Sequence, residues 1–141
     1  MATATFEYKV RDSAGKMKTG TLEADSIAAH LRTLSSLHLI MTCPPQVLEY
    51  CHSARNAPEY AELREDMDTL MPALTHPTAR QALDIQQALW DRGLIRAAGA
   101  FDCLIAAYAV VNDAIILNSD RDFGYIADAT GGTVRQEFVP E

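Results

Sequence analysis

The first residues of the chain alternate between apolar and charged side chains. Residues 5–11, TFEYKVR, have the two-residue period of a half-buried strand. Residues 16–22 are predicted to pair back on that strand, because the turn-forming sequence DSAG lies between the two stretches. The sequence therefore predicts a β-hairpin, followed by a helix that ends near Ser36 and a short apolar strand over residues 39–42.

The rest of the chain alternates between helical and strand patterns. Helices are predicted from Pro44 onward and over residues 59–71, 78–90, 100–111 and 123–129. The continuous apolar run from Ala114 to Leu117 indicates a parallel strand that is covered on both faces. Residues 133–139 are predicted to form the last strand. This order is typical of an α/β fold with an open parallel sheet flanked by helices.

The composition indicates one globular domain without a membrane span. The chain has 141 residues, of which 48% are hydrophobic. Its longest apolar stretch, residues 97–111, is too short to cross a bilayer, and the N-terminus lacks the pattern of a signal peptide. Three cysteines without a Cys-x-x-Cys spacing argue against a disulfide framework or a zinc site. We therefore expect a cytoplasmic protein with reduced thiols.

The charged residues before and after Asp25 differ in type and in balance. The net charge of −7 argues against a protein that coats nucleic acid by charge alone. Residues 1–25 contain all the lysines and carry no net charge. The remaining residues contain eight basic residues, all of them arginine, and fifteen acidic ones. Chance would explain this difference, but it also fits a junction between two segments of different origin, residues 1–25 and residues 26–141.

Four acids occupy positions beyond the carboxyl ends of predicted strands, where open parallel sheets bind ligands. Glu49 lies on the helix after the first parallel strand, and Asp102 is the only charged residue of an apolar stretch. Asp120 and Asp122 follow the next strand. Each acid also has a purely structural interpretation. Asp102 and Asp120 could cap helices, Asp122 could favour a helix dipole, and Glu49 could be a surface residue.

Taken together, these acids favour a metal site. Carboxylates that converge on one point repel each other unless a divalent cation lies between them, and Mg²⁺ or Mn²⁺ is the natural occupant. Two metals in such a cluster can activate water and stabilise the leaving oxygen in phosphodiester hydrolysis. The phosphate would then meet the metal and nearby arginines such as Arg92, Arg96 and Arg121 rather than a basic surface.

Three stretches in the later part of the chain carry a resemblance to a known family. They are LIMTCPPQVLEYCHSARNAPEYAELREDM, QALWDRGLIRAAGAFDCLIAAYAV and IILNSDRDFGYIADATG. In this order and spacing, over about residues 30–141, they resemble the PIN-domain ribonucleases of the VapC toxin type. The resemblance implies a PIN fold, Mg²⁺ or Mn²⁺, cleavage of RNA, a homodimer and a cognate antitoxin that blocks the site.

The same resemblance implies roles for individual acids. Glu49 in QVLEY, Asp102 in AFDCLIAA and Asp120 in SDRDF would be catalytic, metal-binding residues. Asp122 would be a further metal ligand.

The N-terminus departs from that family, whose members begin with a hydrophobic strand ending in Asp-Thr or Asp-Ser. That aspartate is the first metal ligand, and the chain lacks it. Asp25-Ser26 imitates the pair, but it lies too close to TCPP for the family's intervening helix, so we interpret it as a helix cap. The start, ATFEYKVRDSAGKMKTGTLEADS, is instead similar to the inner-membrane platform protein of type II secretion and type IV pilus systems. These resemblances predict a truncated PIN domain in which the N-terminal hairpin segment replaces the usual first strand.

Three functional hypotheses follow from the sequence. The leading one is a Mg²⁺-dependent ribonuclease toxin of a toxin–antitoxin system, impaired by the missing first acid. The second is a catalytically inactive PIN remnant that acts as a dimerisation or antitoxin-binding module. The third is a cytoplasmic fragment of a secretion platform, which only residues 1–25 favour.

Overall fold

The computed structural model describes residues 4–11, 17–24 and 40–140 of the chain. Within these residues the fold is mixed α/β. The helices are α1 (Pro44–His52), α2 (Ala57–Asp68), α3 (Ala79–Asp91), α4 (Ala100–Val111) and α5 (Asp122–Ala129). The strands are β1 (Ala4–Arg11), β2 (Met17–Ala24), β3 (Met41–Thr42), β4 (Met71–Pro72), β5 (Ile116–Asn118) and β6 (Gln136–Phe138). No helix among the described residues is long and apolar enough to cross a membrane.

The N-terminal strands β1 and β2 form a separate two-stranded sheet. They are antiparallel, and the register runs from the pair Ala4 and Ala24 to the pair Arg11 and Met17. The predicted turn at residues 12–15 and the predicted helix that ends near Ser36 lie outside the described residues. It therefore stays a prediction that this hairpin takes the place of the first strand of a PIN domain.

The parallel strands form two separate pairs rather than the single open sheet that the sequence predicts. Strand β3 pairs with β4, and β5 pairs with β6. No described strand joins the two pairs by hydrogen bonds. Leu117 in the middle of β5 is half-buried, although the sequence predicts a strand covered on both faces.

Strand β4 lies where the sequence predicts the end of a helix. The predicted helix continues to Met71, but α2 ends at Asp68. Hydrogen bonds across the pair explain the difference, since the Met71 N–H donates to the Ile40 carbonyl at 3.1 Å and the Ala73 N–H donates to the Thr42 carbonyl at 2.7 Å. A parallel ladder uses alternate residues, so Pro72, which has no N–H, is tolerated between these donors.

The main core lies between helices α3, α4 and α5. Small side chains on α4 allow the helices to pack closely, and Val134 closes the core after α5. The buried members are Ile85, Leu89, Cys103, Ala106, Ala107, Phe123, Ile126, Ala129 and Val134. Because the first turn of α4 and the first turn of α5 both start from this core, the residues at those two helix starts are held on a rigid frame.

Candidate metal centre

Three of the four predicted acids come together at the starts of α4 and α5. One carboxylate oxygen from each of Asp102, Asp120 and Asp122 lies within 4.8 Å of the other two. Asp102 and Asp122 are half-buried, and Asp120 is exposed. The three side chains therefore form an acidic triad that is open to solvent on one side.

Asp102 is fixed by the start of helix α4. It is the third residue of that helix, and Gly99 occupies the N-cap position. The Gly99 N–H donates a hydrogen bond of 2.9 Å to Asp102 Oδ2. The N-cap residue of α4 is therefore Gly99 and not Asp102. The Asp102 carboxylate nevertheless accepts a backbone N–H at this helix start.

Asp120 is fixed by the loop between β5 and α5. Its own N–H donates to Asn118 Oδ1 at 3.1 Å, and its Oδ1 accepts the Asp122 N–H at 2.9 Å. The buried Asn118 side chain also donates to Gln136 Oε1 at 3.0 Å, which ties the loop to β6. Arg121, not Asp120, is the N-cap residue of α5. Asp120 is therefore part of a hydrogen-bonded loop rather than a simple cap.

Glu49 is not part of the triad, but the negative charges of the triad affect its carboxyl group. It is exposed on α1 and does not belong to the group of converging oxygens. Burial raises the pKa of Glu49, and the negative charges of Asp102 and Asp120 raise it further. Glu49 therefore interacts electrostatically with Asp102 and Asp120, although it is not one of the converging acids.

Without a cation, the negative charges of the three triad carboxylates repel one another. Burial raises the pKa of Asp122, and the charges of Asp120 and Asp102 add to this effect. The described residues provide no ion pair between a basic side chain and any acid of the triad. A bound cation would offset the repulsion.

The donor set fits a hard divalent cation. All three ligand atoms are carboxylate oxygens, which Mg²⁺ and Mn²⁺ prefer. Oxygens bound to one Mg²⁺ lie at about 2.1 Å from the ion, and hence at most about 4.2 Å from each other. Small side-chain rotations would therefore close the triad around one ion.

The three predicted RNA-binding arginines are all exposed. Arg92 follows the last residue of α3, and Arg96 lies in the connection to α4. Arg121 stands between two acids of the triad. None of the three forms an ion pair within residues 40–140. Their guanidinium groups are therefore available to an anionic ligand.

Two residues that hold the triad acids by hydrogen bonds, Gly99 and Asn118, were not predicted from the sequence. Gly99 contributes only a backbone N–H, and a glycine before a helix has many other uses. Asn118 had a detectable signal, because it is a polar residue at the end of the apolar strand β5 and directly before the acidic loop. A buried amide there needs hydrogen-bond partners, and the loop and β6 provide them.

Curated relatives of this chain are ribonucleases. Ribonuclease VapC6 from two strains of Mycobacterium tuberculosis is 29% identical over 112 residues, which cover 78% of this chain and 84% of the relative. Ribonuclease VapC2 from the same species is 40% identical over 72 residues, which cover 50% of this chain and 51% of the relative. These similarities support a VapC/PIN-type family. The mixed α/β fold with parallel strand pairs is compatible with it.

The N-terminal part is similar to a different family. The family model for the type II secretion system protein F, N-terminal domain, matches residues 1–42. This match extends beyond the predicted boundary at Asp25 and reaches β3. Since the VapC6 relatives cover 78% of the chain, the two matched regions overlap. The division into residues 1–25 and 26–141 stays a prediction.

Proposed function

We propose that the chain is a divalent-metal-dependent endoribonuclease of the VapC toxin type. The observation that carries this proposal is the convergence of one oxygen each from Asp102, Asp120 and Asp122 at the starts of two helices. The similarity to ribonucleases named VapC supplies the substrate class, which is RNA. Mg²⁺ and Mn²⁺ are the ions that suit the donor set.

In this proposal the acids and the arginines have different roles. Asp102, Asp120 and Asp122 hold the cation, and Glu49 adds negative charge at the edge of the site. A divalent cation bound there supplies a Lewis acid that makes water more nucleophilic and offsets charge on the phosphodiester. Arg92, Arg96 and Arg121, which form no ion pair within residues 40–140, contact the RNA phosphates in this proposal.

The sequence predicts that the family's first acid is missing, and we propose that this weakens the site without abolishing it. Mg²⁺ usually binds proteins through one or two carboxylates and retains several waters. The triad already exceeds that number. We therefore expect metal binding to persist, and we expect cleavage to be slower than in a site with four acids.

The same family relation supports proposals about partners and location. We propose a cognate antitoxin that blocks the metal centre, a homodimer, and a cytoplasmic location. Leu83 and Trp90 on α3 are 58% and 57% exposed. They lie two helical turns apart on the same face of α3, and we propose that this face takes part in these protein contacts. Such contacts fit the ribonuclease and equally the second candidate function, a non-catalytic PIN remnant that dimerises or binds an antitoxin.

A metal-dependent cleavage assay separates the two candidate functions. The purified full chain is incubated with an end-labelled RNA library of random sequence, with Mg²⁺ or Mn²⁺ and after removal of metal by EDTA. We expect cleavage with either ion and none after EDTA, because the carboxylates alone supply no Lewis acid. Cleavage that persists in EDTA, or no cleavage with either ion, would contradict the proposal. Dimerisation without cleavage would favour the remnant.

A further inference from the structure

Gly99 contacts the acidic triad through its backbone alone. Its N–H donates to Asp102 Oδ2 at 2.9 Å, and its carbonyl accepts the Cys103 N–H at 3.2 Å. Cys103 is buried in the core between the helices. The N–H that contacts Asp102 is therefore anchored to the rigid part of the fold.

Asp102 needs such an anchor because its surroundings repel it. The side chain is only half-buried, and its nearest charged neighbours in the triad, Asp120 and Asp122, are also negative. A carboxylate in that environment favours rotamers that turn towards solvent. A backbone donor on one oxygen opposes this rotation, because it is strongest when the acceptor is charged. Asp120 has the same kind of restraint from the Asp122 N–H.

We infer that Gly99 is a positioning residue for the metal centre, because its N–H holds the Asp102 carboxylate within reach of Asp120 and Asp122. This inference rests on the proposed function, since it assigns the triad to a metal. It differs from a role in helix capping alone. A cap stabilises α4 whether or not metal is bound, whereas a positioning residue changes the affinity of the folded protein for the ion.

The backbone at Gly99 permits a matched pair of substitutions. Its φ of −77° lies within the range that proline adopts, and proline has no N–H to donate. Gly99→Pro therefore removes the hydrogen bond to Asp102. Gly99→Ala keeps the N–H, and its Cβ would meet Asp102 Oδ2 at 3.4 Å, which is an ordinary contact.

The test is a titration of the full chain with Mn²⁺ alone, monitored by calorimetry or electron paramagnetic resonance. We expect Gly99→Pro to weaken Mn²⁺ binding by about tenfold or more, as is usual when a group that orients a metal ligand is lost. Gly99→Ala keeps the N–H and should bind Mn²⁺ more tightly than Gly99→Pro. Thermal melting without metal reports the capping effect separately. If Gly99→Pro does not fold, an amide-to-ester replacement at position 99 removes the N–H without constraining the backbone.

The outcomes distinguish this inference from the proposed function. If the unaltered chain binds Mn²⁺ and the folded Gly99→Pro variant binds it equally well, Gly99 acts only as a cap. The inference is then wrong, and the proposed function stands. If the unaltered chain does not bind Mn²⁺ at all, the proposed function fails and the inference fails with it.

Discussion

Asp102→Asn is expected to lower RNA cleavage by about a hundredfold or more, because loss of a direct ligand should cost at least as much as loss of a residue that orients one. Asparagine keeps the size of the side chain, and its amide oxygen can still accept the Gly99 N–H. The helix start should therefore survive while one carboxylate of the triad is lost. Initial cleavage rates of the random RNA library at saturating Mg²⁺ measure the effect.

A matched control for this variant is Asp128→Asn. Asp128 is exposed on α5, so its replacement removes the same charge at a position outside the triad. The control should cleave RNA like the unaltered chain, and both variants should have circular dichroism spectra of the folded protein. Equal cleavage by Asp102→Asn and the unaltered chain would remove Asp102 from the metal centre.

Ile126→Ala is expected to destabilise the fold by about 3 kcal/mol, which is typical for a buried isoleucine whose removal leaves a cavity. Ile126 is fully buried on α5 within the core shared by α3 and α4. For a domain of this size the melting temperature should fall by roughly 10 °C. Thermal and urea unfolding measure the change.

Tyr125→Ala is the control for the core substitution. Tyr125 is the preceding residue on α5 and is 45% exposed, whereas Ile126 is fully buried, so its loss should change the free energy of unfolding by less than about 1 kcal/mol. The folded fraction of Ile126→Ala should still bind Mn²⁺, because the ligands lie at the helix start and not in the core. Equal stability of the two variants would show that α5 does not pack as described.

Much of the fold follows from local sequence signals. The helix starts at Pro44 and Ala100 are confirmed, because proline suits a first turn and the apolar stretch after Gly99 suits a packed helix. The convergence of Asp102, Asp120 and Asp122 follows from their positions near the ends of elements that share one core.

The remaining features depend on contacts that no local pattern encodes. Strand β4 exists because Ile40 and Thr42 accept its hydrogen bonds, although the preceding helical pattern extends through Met71. The parallel strands also form two separate pairs, which the alternating helical and strand patterns do not indicate. The role of Gly99 depends on a backbone N–H, which every residue except proline possesses.

The central claim is that Asp102, Asp120 and Asp122 hold one divalent cation, and a crystal grown or soaked with Mn²⁺ tests it most directly. Anomalous diffraction locates the ion independently of the protein coordinates. We predict an anomalous peak bounded by oxygens of all three aspartates at about 2.2 Å, between the usual Mg²⁺ and Ca²⁺ distances. A well-ordered triad with no peak between its carboxylates, or a peak bound only elsewhere, would contradict the account.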